Sequence, residues 1–154
     1  METIYGIGID LVSITRLDRV IQRWGAKFLG RTFTSGEIDY CAAKASPSQH
    51  YAARFAAKEA VFKALGTGWN HGVGWLDVEV RVQPKSGRPS IALAGQCLEI
   101  LGDPASFRVL ISLSHDKDYA LAQAVIVKIS PERQTSEVLE TSEAYELVKF
   151  AAMP

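Results

Sequence analysis

The sequence has 154 residues, of which 47% are hydrophobic and 22% are charged, and its formal net charge at pH 7 is zero. This length and composition predict one soluble globular domain with a sizeable core. No apolar run is long enough to cross a bilayer, and the first residues lack the basic start and apolar middle of a signal peptide, so we expect no membrane contact.

Cysteine usage and charge distribution indicate the cellular compartment and the kind of partner to expect. Cys41 and Cys97 have no metal-like spacing, so we expect free thiols in a reducing compartment and a cytoplasmic protein. Residues 130–154 contain five glutamates against one arginine and one lysine, a net charge of −3, which leaves +3 on residues 1–129. A mildly basic body suits a phosphorylated ligand or an acidic protein partner, and it is weak evidence for nucleic acid. We predict a domain over 1–129 and a partly ordered acidic C-terminal extension over 130–154 without a catalytic role.

Residues 4–12 are apolar and β-branched and predict a strand that is buried on both faces. Asp10 lies near its end, where a buried carboxylate requires a partner or a metal unless it caps the next helix. Ser13 and Thr15 are better placed to cap that helix, so Asp10 is a candidate site residue. The two glycines of the strand do not form a dinucleotide-binding fingerprint, because the third glycine is missing.

The segment from Thr15 to about Gly30 predicts an amphipathic helix with a break at Gly25. Its apolar stripe consists of Leu17, Val20, Ile21, Trp24 and Phe28. Its second stripe is basic and consists of Arg16, Arg19, Arg23, Lys27 and Arg31. Most charged stripes are simply solvated surface, but this one contains almost no acid, which favours an acidic partner.

A capping box at Thr34 and Glu37 predicts the start of a short helix that runs to about residue 45. The central helix is predicted to follow over residues 49–66. Gly66 closes the central helix. Charged residues interrupt its apolar face at positions 54, 58, 59 and 63. Glu59 and Lys63 are four residues apart, and the simplest interpretation is a surface ion pair that contributes about 0.3–0.5 kcal/mol.

The remaining chain predicts strands at 75–82 and 90–93, a helix at 95–101, and strands at 107–115 and 119–128. The element order is β, α, α, α, β, β, α, β, β, which indicates an α+β fold with mostly antiparallel strands. Ser112, Ser114 and His115 cluster at the end of one strand, which favours a binding role over an ordinary surface histidine. No nucleophile elbow surrounds these serines, so the sequence does not support a Ser/His/Asp triad.

Four motifs resemble those of the holo-acyl-carrier-protein synthases, the small 4′-phosphopantetheinyl transferases, in both order and spacing. They are Gly6-Ile7-Gly8-Ile9-Asp10, Arg54-Phe55-Ala56-Ala57-Lys58-Glu59-Ala60, Lys63-Ala64-Leu65-Gly66-Thr67-Gly68 and Ser112-Leu113-Ser114-His115. The resemblance covers about residues 4–128. It implies an antiparallel sheet packed with a long central helix, and a homotrimer with active sites at the subunit interfaces.

The resemblance also implies an activity. The family transfers the 4′-phosphopantetheine arm of coenzyme A to a serine of apo acyl carrier protein and releases adenosine 3′,5′-bisphosphate. This reaction supports fatty acid biosynthesis, and the cofactor is Mg²⁺. Phosphoryl transfer depends mainly on positioning and electrostatic stabilisation, and Mg²⁺ takes one or two carboxylates together with water and phosphate oxygens.

Roles of individual residues follow from the matched positions. Asp10 and Glu59 become the magnesium ligands, and Lys63 neutralises the pyrophosphate or protonates the leaving group. The base that deprotonates the attacking serine is either Glu59 or a water on the metal. The residues expected to bind the cofactor are Arg54, Lys58, Lys63, Gly66, Ser114 and His115. The residues expected to dock the acidic acyl carrier protein are Arg16, Arg19 and Arg23.

Two other classes compete with a transferase. A non-catalytic nucleotide- or nucleic-acid-binding module would use the basic helix 16–31, and its affinity would fall steeply with salt. It gives Asp10 and Glu59 no role. A trimeric structural protein with a decayed site conflicts with the intact charges at Asp10, Lys58, Glu59 and Lys63.

Overall fold

The structure is a computed structural model that describes residues 1–68 and 72–129. The helices and strands, in chain order, are β1 (Glu2–Ser13), α1 (Ile14–Thr32), α2 (Ser35–Ala42), α3 (Pro47–Leu65), β2 (Val78–Val82), β3 (Pro89–Leu93), α4 (Gly95–Leu101), β4 (Phe107–His115) and β5 (Tyr119–Ile129). The predicted order of elements is confirmed. Two boundaries differ from the predicted ones by three residues, because α2 ends at Ala42 and because Trp75–Asp77 forms a 3₁₀ turn before β2, and the others differ by at most two.

The extension predicted over 130–154 lies outside the described residues. Among the residues that are described, no helix is both long enough and apolar enough to cross a bilayer.

All strands pair in antiparallel fashion. β1, β5 and β4 form one sheet in that order, and β2 and β3 form a separate hairpin. Helix α3 packs across β1 and β5, and the small residues Ala56, Ala60, Ala122 and Ala124 are fully buried between them. The α+β prediction is therefore confirmed, and α3 is the helix that packs against the centre of the sheet.

Two glycines of β1 allow α3 to lie unusually close. A Cβ atom at Gly6 would be 1.9 Å from the carbonyl oxygen of Ala64, and one at Gly8 would be 1.9 Å from that of Ala60. Asp10 follows on the same side of the strand, because alternate residues of a strand share a face. The glycines therefore fix the distance between Asp10 and the charged residues of α3.

The prediction that β1 is buried on both faces is wrong. Ile7, Ile9 and Leu11 point away from α3 and are 57%, 56% and 60% exposed. On the same outer face, Leu121 of β5 pairs with Leu11, and Leu110 of β4 lies beyond Val125 opposite Ile7. One face of the sheet is thus an apolar surface that the residues described by the structure leave exposed.

The helix ends follow the predicted signals. The Ser13 side chain accepts a hydrogen bond from the Arg16 amide at the start of α1, so Asp10 does not cap that helix. Gly25 has φ 51° and ψ −136°, which kinks α1 as predicted. Gly66 closes α3 in the left-handed conformation with φ 76°.

Candidate active site

Asp10 and Lys63 form an ion pair between β1 and α3. Lys63 Nζ lies 2.8 Å from Asp10 Oδ1 and also donates to the Ile9 carbonyl oxygen at 2.9 Å. The structure therefore brings together two residues that are 53 positions apart in the sequence. Lys63 thus pairs with Asp10 across the two elements, a partner that the simplest sequence interpretation did not include.

Asp10 and Glu59 line one cavity of about 530 Å³ between β1, α1 and α3. Arg16 contributes a positive charge to the same wall. The rest of the lining is largely apolar and comprises Leu11, Val12, Leu17, Val20, Phe28, Phe55 and Tyr119. A cavity with two carboxylates, one arginine and apolar walls combines charge that can bind a metal and phosphate with apolar surface that can contact an organic group.

The carboxylates provide the donors that a hard cation requires. Magnesium is bound in proteins through one or two carboxylates, and water and phosphate oxygens complete its octahedral shell. No group of three or more histidine, cysteine, aspartate or glutamate side chains that could hold a metal occurs among the described residues. Asp10 and Glu59 therefore fit Mg²⁺ in a shared site that substrate oxygens complete, and they do not form an all-protein cage.

Lys58 lies in the core, which argues against the predicted phosphate contact. Its ammonium group is fully buried and lies 2.7 Å from Glu37 Oε2. It also donates to the carbonyl oxygens of Trp75 and Val78. Three acceptors use the three protons of an ammonium group, so no donor remains for a phosphate. Burial lowers the pKa of Lys58, and the neighbouring Glu37 carboxylate opposes this shift.

Arg54 faces a second cavity on another side of α3. Positions 54 and 59 are about 140° apart around a helix axis, so Arg54 and Glu59 cannot share a face. The second cavity has a volume of about 660 Å³ and is also lined by Lys44 and Arg81. The Arg54 guanidinium is buried, with its centre 4.0 Å from the Tyr40 ring centroid, and its Nε has no hydrogen-bond partner within the described residues.

His115 belongs to the Arg54 side of the molecule. Its ring centroid lies 6.0 Å from that of His50, which in turn lies 5.9 Å from that of Tyr40. The His50 carbonyl oxygen accepts a hydrogen bond from Arg54 Nη1 at 3.4 Å. Burial, followed by the charges of Arg54 and His115, lowers the pKa of His50. This group of rings and cations forms a positive corner beside the second cavity.

Sequence reasoning missed His50, Tyr40 and Lys44. His50 precedes Arg54 by four residues, a spacing that places both on one face of α3 and that identifies them as neighbours in the sequence alone. Lys44 lies with its ammonium 4.3 Å from the Tyr40 ring centroid. Tyr40 and Lys44 are also four residues apart, but only Tyr40 belongs to α2, because the helix ends at Ala42.

Of the six residues predicted to bind the cofactor, Arg54 alone lines one of these two cavities, and Ser114 and Gly66 lie away from both. Ser114 is exposed on the outer face of the sheet, where it pairs with Leu121. Gly66 is exposed at the end of α3, and its amide donates to the Lys63 carbonyl oxygen at 3.1 Å. The single chain therefore brings Asp10, Glu59 and Lys63 into one group and Arg54 and His115 into another.

The basic stripe of α1 is exposed along its whole length. Arg16, Arg19, Arg23, Lys27 and Arg31 are all solvent-exposed, and within the described residues none of them forms an ion pair. Arg23 lies over the Trp24 ring at 5.3 Å, and Trp24 is 53% exposed. A positive surface that has no ion-pair partner among residues 1–68 and 72–129 thus adjoins the cavity that holds the two carboxylates.

The family model described as the 4′-phosphopantetheinyl transferase superfamily matches residues 6–124, which is more than half of the chain. The chain belongs to the 4′-phosphopantetheinyl transferase superfamily. The family resemblance seen in the motifs is therefore confirmed. The match of this transferase to the family model ends before residue 130, so the acidic segment 130–154 lies beyond it.

Relatives and solved structures agree with the family. The holo-[acyl-carrier-protein] synthase of Geobacter sulfurreducens is 48% identical over 123 residues, which cover 80% of this transferase and 97% of that protein. The structure of holo-[acyl-carrier-protein] synthase from Neisseria meningitidis is 34% identical to this chain in sequence and superposes with a TM-score of 0.72. The match covers 80% of this chain and 98% of the Neisseria chain. The structure of the Helicobacter pylori synthase in complex with coenzyme A is 35% identical to this chain in sequence, with a TM-score of 0.67. The match covers 78% of this chain and 98% of the Helicobacter chain.

Proposed function

We propose that this transferase moves the 4′-phosphopantetheine arm of coenzyme A onto a serine of an apo acyl carrier protein and supports fatty acid biosynthesis. The observation that carries the proposal is the group of Asp10, Glu59 and Lys63 beside one cavity that adjoins an exposed basic helix. Named relatives with 42–48% identity are holo-[acyl-carrier-protein] synthases. A nucleic-acid-binding module would leave the paired carboxylates without a role.

In the proposed reaction, the serine oxygen attacks the phosphorus atom that carries the pantetheine arm. A bond from this oxygen to phosphorus forms, and the bond from the same phosphorus to the bridging pyrophosphate oxygen breaks. Adenosine 3′,5′-bisphosphate leaves with the bridging oxygen and both bonding electrons. Phosphoryl transfer of this kind depends on holding the two reactants in line and on neutralising the charge that develops on the oxygens.

Three charged residues beside the first cavity carry the chemistry in this proposal, and Glu59 serves both as a base and as a metal ligand. Glu59 accepts the proton of the serine hydroxyl. Lys63 neutralises the leaving oxygen, for which its 2.8 Å contact with Asp10 keeps it beside the cavity. Asp10 and Glu59 would hold Mg²⁺, which would supply positive charge against the pyrophosphate oxygens. The apolar wall around Phe28 and Phe55 accommodates the arm and excludes water.

Mass spectrometry of the carrier protein tests the reaction. Apo acyl carrier protein is incubated with the transferase, coenzyme A and Mg²⁺, and the intact protein is weighed. The proposal expects a mass increase of one phosphopantetheine arm that disappears when EDTA removes the metal. No mass increase would contradict the proposed reaction, and an unchanged increase in EDTA would contradict the metal.

We further propose a homotrimer with each active site at a subunit interface. The uncovered apolar face formed by Ile7, Ile9, Leu11 and their neighbours is suited to contact between copies, because large exposed apolar patches mark interaction sites. The separation of the carboxylate cavity from the Arg54 cavity supports sites that combine one half from each of two neighbours. In such a site, Arg54, Lys44 and His115 contact coenzyme A phosphates that reach the Asp10 side of the next subunit.

Subunit mixing tests this arrangement. Glu59→Gln and Arg54→Ala each inactivate one half of every site, so each variant alone is expected to be inactive. When the two are co-expressed, random assembly of a trimer regenerates about one quarter of the intact interfaces. Activity near a quarter of the wild-type value supports shared sites. A mixture that stays inactive while wild-type and variant subunits demonstrably co-assemble would contradict them.

The proposed docking surface for the acidic carrier protein is formed by Arg16, Arg19 and Arg23. Replacing Arg16 and Arg23 by glutamate is expected to raise KM for the carrier protein and to flatten its dependence on salt, because long-range attraction is lost. Lys85→Glu in the β2–β3 turn changes charge by the same sign elsewhere and is expected to leave this KM unchanged. An unchanged KM in the arginine variant would contradict the docking assignment. The cytoplasmic location and the domain boundary near residue 129 stay predictions.

A further inference from the structure

A mixed basic and apolar surface runs along α1, and we call it the α1 face. Its charged members are Arg16, Arg19, Arg23, Lys27 and Arg31. Its apolar part is a groove of about 290 Å³, lined by Val20, Trp24 and Phe28 together with Lys27 and Arg31. A partner that matches this face needs several carboxylates and a few apolar side chains in one short stretch.

The chain itself contains such a stretch. Residues 137–147 hold four glutamates and no lysine or arginine, a net charge of −4, and they also include two leucines, a valine and a tyrosine. The rest of the 130–154 segment is close to neutral, so the charge is concentrated in this part. The match to the family model ends at residue 124, so the transfer reaction common to the family does not require this stretch.

The length of chain allows the stretch to reach the α1 face. β5 ends at Ile129 beside Glu2, whereas α1 begins after Ser13, which pairs with Tyr119 at the other end of the same two strands. These two ends are about 34 Å apart at the usual rise of an antiparallel strand. The 13 residues from 129 to the middle of the stretch extend up to about 43–47 Å.

We propose that the acidic stretch 137–147 occupies the α1 face and competes there with the acyl carrier protein. This inference rests on the proposed docking of the carrier at that face. Val20 and Phe28 line both the apolar groove and the cavity that contains Asp10 and Glu59. The groove therefore adjoins the catalytic cavity, and a carrier protein that docks at the α1 face must displace the stretch before transfer.

The size of the effect follows from tethering. A tethered segment at an effective concentration of about 1 mM fills a site with a dissociation constant of about 0.1–0.2 mM roughly 80–90% of the time. The apparent affinity of a competitor falls by the fraction of sites that remain free. Removing the tethered competitor is then expected to lower KM for the carrier protein about five- to tenfold, with kcat unchanged.

The test uses the full chain with Glu137, Glu140, Glu143 and Glu146 replaced by glutamine. KM for apo carrier protein is measured by holo-carrier formation at low and high salt. The proposal expects the five- to tenfold decrease in KM at low salt and a steeper rise of KM with salt than in the wild type. The matched control carries aspartate at the same four positions, retains the charge, and is expected to keep the wild-type KM. Equal KM values for the glutamine variant, the aspartate variant and the wild type would overturn the proposal.

A second measurement decides the proposal even if the carrier protein proves to dock elsewhere. A fluorescein-labelled peptide of residues 137–147 is titrated with the glutamine variant, and fluorescence anisotropy reports binding. We expect a dissociation constant of about 0.1–0.2 mM, the value used in the tethering estimate. Adding Arg19→Glu and Arg23→Glu is expected to abolish binding. No binding to the glutamine variant, or equal binding after the arginine changes, would overturn the proposal and would leave the transfer reaction untouched.

Discussion

The substitution Lys58→Met tests the buried ion pair between Lys58 and Glu37, which the structure shows in place of the predicted phosphate contact. The substitution keeps the length of the side chain but removes the ammonium group 2.7 Å from Glu37 Oε2. Breaking a buried pair by removing one partner costs about 3–5 kcal/mol, because the remaining charge is buried without compensation. Glu37 keeps its hydrogen bonds from the Thr34 and Val80 amides, each at 2.9 Å, so we expect the lower end of this range.

Urea unfolding followed by far-UV circular dichroism measures the loss at one fixed protein concentration, because the stability of the proposed trimer would depend on concentration. The expected decrease of about 3 kcal/mol corresponds to a fall in Tm of about 6–12 °C for a chain of this size. Adding Glu37→Gln to Lys58→Met is expected to restore part of the stability, because it removes the orphaned charge. Wild-type stability of Lys58→Met together with a raised KM for coenzyme A would refute the structural role and restore the phosphate contact.

Two further substitutions test the packing around the site. Gly8→Ala is expected to lower both stability and transfer rate, because its Cβ would lie 1.9 Å from a backbone oxygen of α3. The control is Gly30→Ala, whose Cβ would have nothing within 4 Å, and it is expected to leave stability unchanged or slightly higher. Urea unfolding of both variants decides this, and equal stability of Gly8→Ala and wild type would contradict the close approach. The lowered pKa of His50 means that the folded state binds its proton less readily, so its stability contribution is present above about pH 6.5 and is lost as pH falls. His50→Gln is expected to lose less stability than wild type between pH 7.5 and pH 5.5, and identical losses would contradict the assignment.

The order of elements was predictable because each has a local signal. The capping box at Thr34 and Glu37, the left-handed Gly66 and the kink at Gly25 act within a few residues, and the structure confirms all three. The burial of β1 was not predictable in the same way. Its alternation of glycine and isoleucine was interpreted as an apolar run, although the glycines face α3 and the isoleucines face outwards. A glycine in a strand often marks the close approach of another backbone, and that signal was available in the sequence.

The residues of the candidate site were also predictable from the sequence only in part. Asp10 stood out because Ser13 takes the capping role, and the structure joins it to Lys63. Lys58 could not be distinguished from a surface lysine, because its partner Glu37 is 21 positions away and belongs to another helix. The separation of Arg54 from Glu59 follows from helical geometry, but the consequence depends on which elements cover each side of α3. Tertiary packing, which local patterns do not encode, decides both cases.

The most direct test of the central claim compares transfer by the wild type, Glu59→Gln and Glu99→Gln. Glu99 is an exposed glutamate of α4, so its change has the same chemistry at a distance from the cavity. Intact-mass measurement of the carrier protein over time gives the three rates, and circular dichroism checks that all three proteins are folded. We expect equal rates for the wild type and Glu99→Gln, and a loss of at least about 100-fold for folded Glu59→Gln, the usual contribution of a positioned general base. A rate for Glu59→Gln close to that of the wild type would contradict the account.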